Sequence, residues 1–370
     1  MSRKPVVLQI NTVAHGTSPV GRLMRALAST PGVEMHMAAG YGPETDGCRI
    51  IGRKSDRYVN ALRARIFAND GYAATGNTRR LLEYASHLNP DIVHLHNGHG
   101  YYLNLPMLTD WLRERHIPLI VTMHDHWWLT GRCATPSVCV KFMDKRCSEC
   151  SDRTAYPAVW RKTAPRYKSL HEAACVVVPT QYLASRLPEG LCIRIIPNGV
   201  GPEFTPETHM KQRTGVIAVA ARWTPSKNLD AIARLAEQMP DVGFTVVGKT
   251  SRHALPANVQ ILKGPFSAGQ MAALYRNAAV LLSASTCESF GMTVAEALAC
   301  GTPVVVQQDT APAELVAPGD GFVVDFHDIS ATEKAIRNAF LLTPAAERVT
   351  TLNDMCTAYA DAYHTLCGKM

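Results

Sequence analysis

The feature that most constrains this chain is a rhythm of short, continuously apolar runs, each followed by an amphipathic segment. VVLQI precedes residues 20–28, DIVHLH (91–96) precedes 105–115, PLIVTM (118–123) follows, and CVVVP (175–179) precedes 181–187. A half-exposed strand alternates apolar and polar residues. Runs that are apolar throughout need both faces covered, which is the pattern of a parallel sheet between helices. After IRIIPNGV (193–200), the Pro-Asn-Gly turn and the polar stretch GPEFTPETHMKQRT read as a linker. The rhythm then restarts with VIAVA (216–220), a helix over 228–238, FTVVG (244–248) and VQILKG. Ser267 and Gln270 have capping-box spacing at the start of another helix, and AVLLSAS (279–285), PVVV and GFVVDF complete the second series.

The expected fold is therefore α/β, with two doubly wound Rossmann-like domains facing each other across a cleft, because 370 residues exceed what one core organises. The expected boundaries are 1–200, carrying a cysteine-containing insertion at 124–158; then 201–350; then a helix over 351–370 that packs back toward the first domain. Ligands of such sheets bind beyond the carboxyl ends of the strands, so the cleft is the expected site. With 46% apolar and 19% charged residues, the composition excludes a disordered chain. The charge balance, 38 basic against 31 acidic residues or +7, favours anionic partners such as nucleotide diphosphates or an anionic leaflet; no nucleic acid is expected. No apolar run approaches the ~20 residues of a spanning helix, and the first five residues lead straight into a strand. The expected location is cytoplasmic, with peripheral contact at the inner face of the membrane.

Two segments invite phosphate chemistry. Gly16-Thr-Ser-Pro-Val-Gly21-Arg22-Leu23 has the glycine spacing of a P-loop, but arginine replaces the lysine and leucine replaces the hydroxyl residue that would hold magnesium. A triphosphatase is excluded. What survives is either a glycine turn that lets a donor approach at Gly16 or a plain strand-to-helix turn. In the second half, Arg222 and Lys227 follow strand VIAVA, and two cations there can grip a diphosphate. CESFGMTVAEALACG (287–301) follows another strand. Val294 and Leu298 lie four apart, so a helix should start near Gly291 and bury that face. The amides of Phe290, Gly291, Met292 and Thr293 then offer a pyrophosphate the positive end of the helix dipole. Glu288 can accept hydrogen bonds from sugar hydroxyls, and Glu296 from the paired hydroxyls of a ribose. The plainer alternative makes Glu288 a first-turn carboxylate and Glu296 a surface residue.

ESFGMTVAEALACGTPVVV resembles the E-x7-E signature of retaining GT-B glycosyltransferases of family 4, and the resemblance extends along most of the chain. ARWTPSK is similar to the family's GR-x-x-x-x-K element, with Ala221 in place of its glycine; VTMHDHW is similar to its TxHD element; VVPTQYLASRL, IPNGV and AELVAPGDGFVVDF also match. The resemblance implies metal-independent transfer from a nucleotide-diphosphate sugar with retention of configuration. Arg222 and Lys227 would stabilise the leaving diphosphate, Glu296 would hold the ribose, and Glu288 the donor sugar. His124 would lie near the reacting face, its alternative being a structural histidine. There are two departures. GTSPVG replaces the family's Gly-Gly pair, which weakens Gly16 as a contact, and Lys249 replaces the second glycine of VxGxG.

Within the insertion, Cys133, Cys139, Cys147 and Cys150 suggest either a structural zinc site or thiols and conditional disulfides. HDHWxxTGRC followed by AYP resembles the colanic-acid and exopolysaccharide branch of the family. His94, His96 and His99 invite a metal reading, but without a first shell to complete it they read as structural residues, with acceptor contact as a further alternative. Tyr101, Tyr102, Trp111, Arg113 and Arg115 are candidates for membrane contact, or form an ordinary amphipathic helix.

The expected activity is transfer of a hexose or deoxyhexose from a UDP or GDP sugar to a surface polysaccharide or lipid-linked oligosaccharide, with no catalytic cofactor. The alternatives are a sugar-nucleotide-binding protein or a GT-B epimerase without transfer.

Overall fold

The computed structural model describes residues 3–14, 18–44, 47–67, 69–130, 133–136, 139, 166–207, 213–251 and 254–368. Two compact units emerge: Met1–Pro179 with Leu183–Ile196 and Met355–Met370, and Thr180–Tyr182 with Pro197–Asp354.

The first unit contains strands β1 (Val6–Asn11), β2 (Glu34–Ala39), β3 (Cys48–Ile50), β4 (Ile92–Leu95), β5 (Leu119–Thr122), β6 (Cys175–Val178) and β7 (Ile193–Ile195). They form one parallel sheet in the order β3-β2-β1-β4-β5-β6-β7. Between them run α1 (Pro19–Ala28), α2 (Lys54–Phe67), α3 (Thr75–Leu88) and α4 (Leu105–Glu114); the short α5 (Gln181–Ala184) is divided between the two units. Every residue of β1, β4, β5 and β6 is buried, which accounts for their predominantly apolar sequence. Side chains fix the helix starts: Ser18 Oγ accepts from Gly21 N at 2.9 Å ahead of Pro19, and Asn104 Oδ1 accepts from Met107 N at 3.1 Å.

The second unit repeats the plan with β8 (Val216–Arg222), α6 (Leu229–Gln238), β9 (Phe244–Lys249), β10 (Val259–Leu262), α7 (Ala268–Asn277), β11 (Val280–Ser283), α8 (Met292–Ala299), β12 (Val304–Gln307), β13 (Gly321–Val324) and α9 (Ile329–Ala339). Its parallel sheet runs β10-β9-β8-β11-β12-β13. Ser267 and Gln270 close the reciprocal capping box of α7. The strand order reverses between β8 and β11, so the loops after these two strands diverge above the sheet and leave room for a ligand.

Several elements depart from the sequence expectation. β2, β3, α2 and α3 are additional to the elements expected from the sequence; EMHMAA, without a β-branched residue, becomes a strand because β1 and β3 pair with it on both sides. The helix expected over 181–187 is confined to Gln181–Ala184. Tyr102, ahead of α4, is fully buried in the core, and Trp111 is 8% exposed because the apolar face of α4 turns inward. Neither can meet a membrane. Arg115 instead stacks over the Trp111 ring at 4.7 Å, and Arg113 bonds to Asp110.

The last helix, α10 (Leu352–Cys367), buries Met355, Tyr359, Ala362 and Tyr363 along one stripe. Its tyrosines end on β4 and β5. Tyr363 Oη lies 2.7 Å from His94 Nδ1, His94 Nε2 lies 2.7 Å from Thr122 Oγ1, and Tyr359 Oη lies 3.0 Å from the same hydroxyl. A buried imidazole with both nitrogens engaged is a structural group, as read for His94.

Burial, reinforced by the neighbouring His124, pushes the His94 pKa down from 6.5 to about 3. The unfolded chain therefore binds more protons than the folded one between those values, and stabilisation that is complete above pH 6.5 is lost as pH falls. One such histidine contributes a slope of about 1.4 kcal/mol per pH unit. His94→Gln is expected to lower the melting temperature at pH 7.5 yet to flatten its decline between pH 6.5 and 5. Parallel declines in scanning calorimetry would contradict this.

Candidate active site

The carboxyl ends of β8 and β11 are joined at one backbone atom. The chain leaving β8 makes a tight turn over Pro225–Lys227 and enters α6 through Asn228, which is left-handed at φ 54° and caps the helix. The buried carbonyl of Ser226 in that turn accepts from Thr286 N at 2.9 Å and from Ser285 Oγ at 3.2 Å, both in the loop after β11. This acceptor locks the two loops together. In consequence Lys227 and Glu288, sixty-one positions apart, meet as an ion pair between Nζ and Oε1, with side chains 30% and 24% exposed.

Immediately beyond Glu288 the chain turns into α8. Gly291 caps the helix at φ 103°, and a Cβ there would stand 2.7 Å from the Pro312 ring. Both the backbone conformation and the close approach require glycine. Its carbonyl accepts from Val294 N and Ala295 N at 3.0 and 3.1 Å, so the amides of Met292 and Thr293 precede the first intrahelical bonds. Val294 and Leu298 are buried, as their spacing predicts. The Phe290 side chain is 3% exposed in the core, so its backbone is the part that can face a ligand.

Glu296 sits one turn further along, half-buried, and accepts a 3.0 Å hydrogen bond through Oε2 from the hydroxyl of Tyr275 on α7. Burial, with Glu296 adding to it, drives the Tyr275 pKa well up, so the phenol stays protonated and donates. The sequence offered no sign of Tyr275 as an anchor. Its partner is on another helix and no local spacing links them.

Arg222 is exposed at the end of β8, opposite Lys249 in the register with β9. A register shift between Val219 and Arg222 bends this edge, and it depends on Gly248, at φ 119°, where a Cβ would lie 1.6 Å from the Ala220 carbonyl. Lys249 follows as a further exposed cation. Lys227 and Glu288 are thus brought into direct contact, whereas Arg222 belongs to the neighbouring edge formed with Lys249.

In the first unit His124 follows β5, and its Nε2 lies 3.1 Å from His96 Nδ1, the rings stacking at 5.4 Å. Gln9 fixes the direction of this bond. Its amide N–H donates to Met24 O at 3.0 Å, which leaves Oε1 to accept from His96 Nε2 at 3.0 Å. His96 then accepts through Nδ1, and His124 donates through Nε2. Burial is the main cause that lowers the His124 pKa to about 4 and holds His96 well below its ordinary value, so both rings are neutral at pH 7. His99 behaves oppositely. Burial lowers its pKa, but the 2.8 Å bond to Asp125 more than offsets this and leaves it raised. His94, His96 and His99 are therefore each tied into hydrogen bonds; they do not form a metal shell.

Gly16, Cys147 and Cys150 lie outside the described residues. Cys133 and Cys139 are half-buried, and among the described residues no group of three or more His, Cys, Asp or Glu could hold a metal ion.

Comparison with known proteins matches both halves of the chain. Residues 203–351 fit the family model described as Glycosyl transferases group 1, and residues 20–204 that described as Glycosyltransferase Family 4. A glycosyl transferase of Escherichia coli (strain K12) named for colanic acid biosynthesis, WcaC, is 24% identical over 87% of this chain and 88% of its own. The D-inositol 3-phosphate glycosyltransferase of Mycobacterium sp. (strain KMS) is 32% identical over 37% of this chain and 34% of its own. Anabaena HepE, solved in complex with UDP and glucose, superposes with a TM-score of 0.63 at 14% identity, covering 99% of this chain and 98% of its own. The fold is that of two Rossmann-like domains of the GT-B class. With half of its length matched by a single model, the chain belongs to Glycosyltransferase Family 4 and is a glycosyltransferase.

Proposed function

We propose that the protein transfers a hexose or deoxyhexose from a UDP or GDP sugar to a surface polysaccharide or lipid-linked oligosaccharide, with retention of anomeric configuration and without a catalytic metal. The observation that carries this reading is the junction at Ser226, which sets a lysine, a carboxylate and a helix amino end side by side above the β8–β11 switch point. HepE, of the same fold, was solved with UDP and glucose, and WcaC is named for colanic acid biosynthesis.

In the proposed complex the diphosphate lies against the amides of Met292 and Thr293, with Lys227 and Arg222 as its cations. Sharing Lys227 with the phosphate leaves Glu288 to accept from the hydroxyls of the donor sugar. Glu296, steadied by Tyr275, accepts from the ribose. As transfer proceeds, the bond between the anomeric carbon and the diphosphate oxygen breaks, and a bond from that carbon to the acceptor oxygen forms. The acceptor's proton leaves with the diphosphate. Negative charge grows on the departing oxygens, where fixed cations and helix amides stabilise it most. His124, held neutral with its Nε2–H directed to His96, is proposed to act in the same reaction as a hydrogen-bonding group; a proton donor with a pKa near 4 would be largely unprotonated at pH 7.

Calorimetric titration with a panel of UDP and GDP sugars tests the donor reading. One donor should bind, and Glu296→Gln should weaken it roughly tenfold to a hundredfold, the range for a lost charged hydrogen bond. Equal affinity in the two proteins would remove Glu296 from the site. Tyr275→Phe, which deletes only the anchor, should raise KM by about threefold to tenfold with kcat little changed. With an acceptor supplied, the anomeric proton coupling of the product reads retention directly, and an inverted product would overturn that part of the proposal.

A further inference from the structure

Helix α2 is amphipathic in the wrong sense for a helix that packs on a protein core. Its inward contacts are polar: Asn60 is buried and donates to Tyr101 O at 3.1 Å, Asp56 accepts from Arg80 at 2.6 Å, and the Arg57 guanidinium lies 5.6 Å from the Tyr41 ring. Its apolar residues point outward. Tyr58 is 77% exposed, Leu62 60%, Val59 49% and Ile66 45%, with Phe67 at the end of the helix 47%. These five are half of the exposed large apolar residues among the described residues, so the stripe is a concentrated feature of one helix.

Tyr58, Leu62 and Ile66 recur every fourth residue and form a single stripe. At 100° per residue, exposed Lys54 and Arg65 fall along one border of that stripe and exposed Arg63 along the other. An apolar band with cations on both borders, two on one and one on the other, matches an interface whose anionic headgroups flank an apolar interior. A second copy is a poorer occupant, because pairing two such faces about a twofold axis brings like charges together.

We propose that α2 is the element that seats this protein on an anionic lipid surface, its apolar stripe entering the headgroup–acyl boundary and its cations meeting the headgroups. The inference rests on the reading above only in giving its membrane-linked acceptor a docking surface. Among the described residues no helix is long and apolar enough to cross a membrane, so attachment through α2 is by lying in the interface.

The test is flotation of the full chain with vesicles of phosphatidylcholine containing 30% phosphatidylglycerol, against vesicles of phosphatidylcholine alone. Wild type should float with the anionic vesicles, and added salt should weaken the association. Leu62→Glu/Ile66→Glu and Lys54→Glu/Arg63→Glu should each reduce partitioning at least roughly tenfold, given about fivefold per cation at such a surface. All four side chains are exposed, so circular dichroism should be unchanged. Tyr58→Trp should show a blue-shifted emission only with anionic vesicles. Unaltered flotation of both double variants, or no flotation of wild type, would overturn the proposal. So would self-association in sedimentation velocity that Leu62→Glu/Ile66→Glu abolishes without any lipid binding. Binding of the donor sugar is read separately by calorimetry, so failure here leaves the donor site intact.

Discussion

One carbonyl oxygen, that of Ser226, organises the second unit's functional edge. A parallel sheet delivers the chain to its carboxyl edge repeatedly but does not hold the loops there together. At the switch point between β8 and β11 the neighbouring loops depart in different directions and need a crosslink of their own. The buried Ser226 carbonyl provides it by accepting from the amide of Thr286 and the hydroxyl of Ser285. A buried backbone acceptor left unmatched costs about 1–3 kcal/mol, so the junction is strongly favoured once the turn at Pro225 has formed. The Lys227–Glu288 pair is a consequence of it. At 30% and 24% exposure the pair itself adds little stability and serves to place charge.

The first unit solves a different problem, that of burying several imidazoles. Each is held by hydrogen-bond partners: Tyr363 and Thr122 for His94, Gln9 for His96, Asp125 for His99. A charged imidazole at His94 or His96 would be poorly solvated, and both stay neutral. Asp125 reverses that preference at His99. Histidines shifted in opposite directions thus stand within one network around His124, and its ring is oriented by Gln9 through His96. The tyrosines of α10 close this network from the far end of the sequence.

The sequence made the sheets legible because their strands are buried on both faces, and apolar runs such as VVLQI and CVVVP have few other uses. The start of α8 was legible for a related reason: Val294 and Leu298 demand one buried face, and Gly291 marks where the helix begins. Contacts made by tertiary packing were not legible. Tyr275 reaches Glu296 from a separate helix, and Ser226 reaches Thr286 from a separate loop, with no periodicity to announce either. For Tyr102 and Trp111 the membrane-contact reading failed for the opposite reason, and the ordinary amphipathic helix offered beside it is what α4 forms. Trp111 and Tyr102 look suited to a lipid interface by chemistry but are consumed by the core, whereas α2 shows its apolar residues to solvent. A sequence gives the stripe of a helix, but which way the stripe turns depends on the neighbouring elements.

The central claim is that the edge fixed by Ser226 receives a nucleoside diphosphate. Hydrogen exchange followed by mass spectrometry on the intact protein, with and without saturating UDP or GDP, measures this at peptide resolution. The account predicts slowed exchange confined in the second unit to peptides covering residues 222–228 and 286–296, where the turn, the loop and the first turns of α8 lie. Protection elsewhere in that unit, with those two segments exchanging as before, would contradict it.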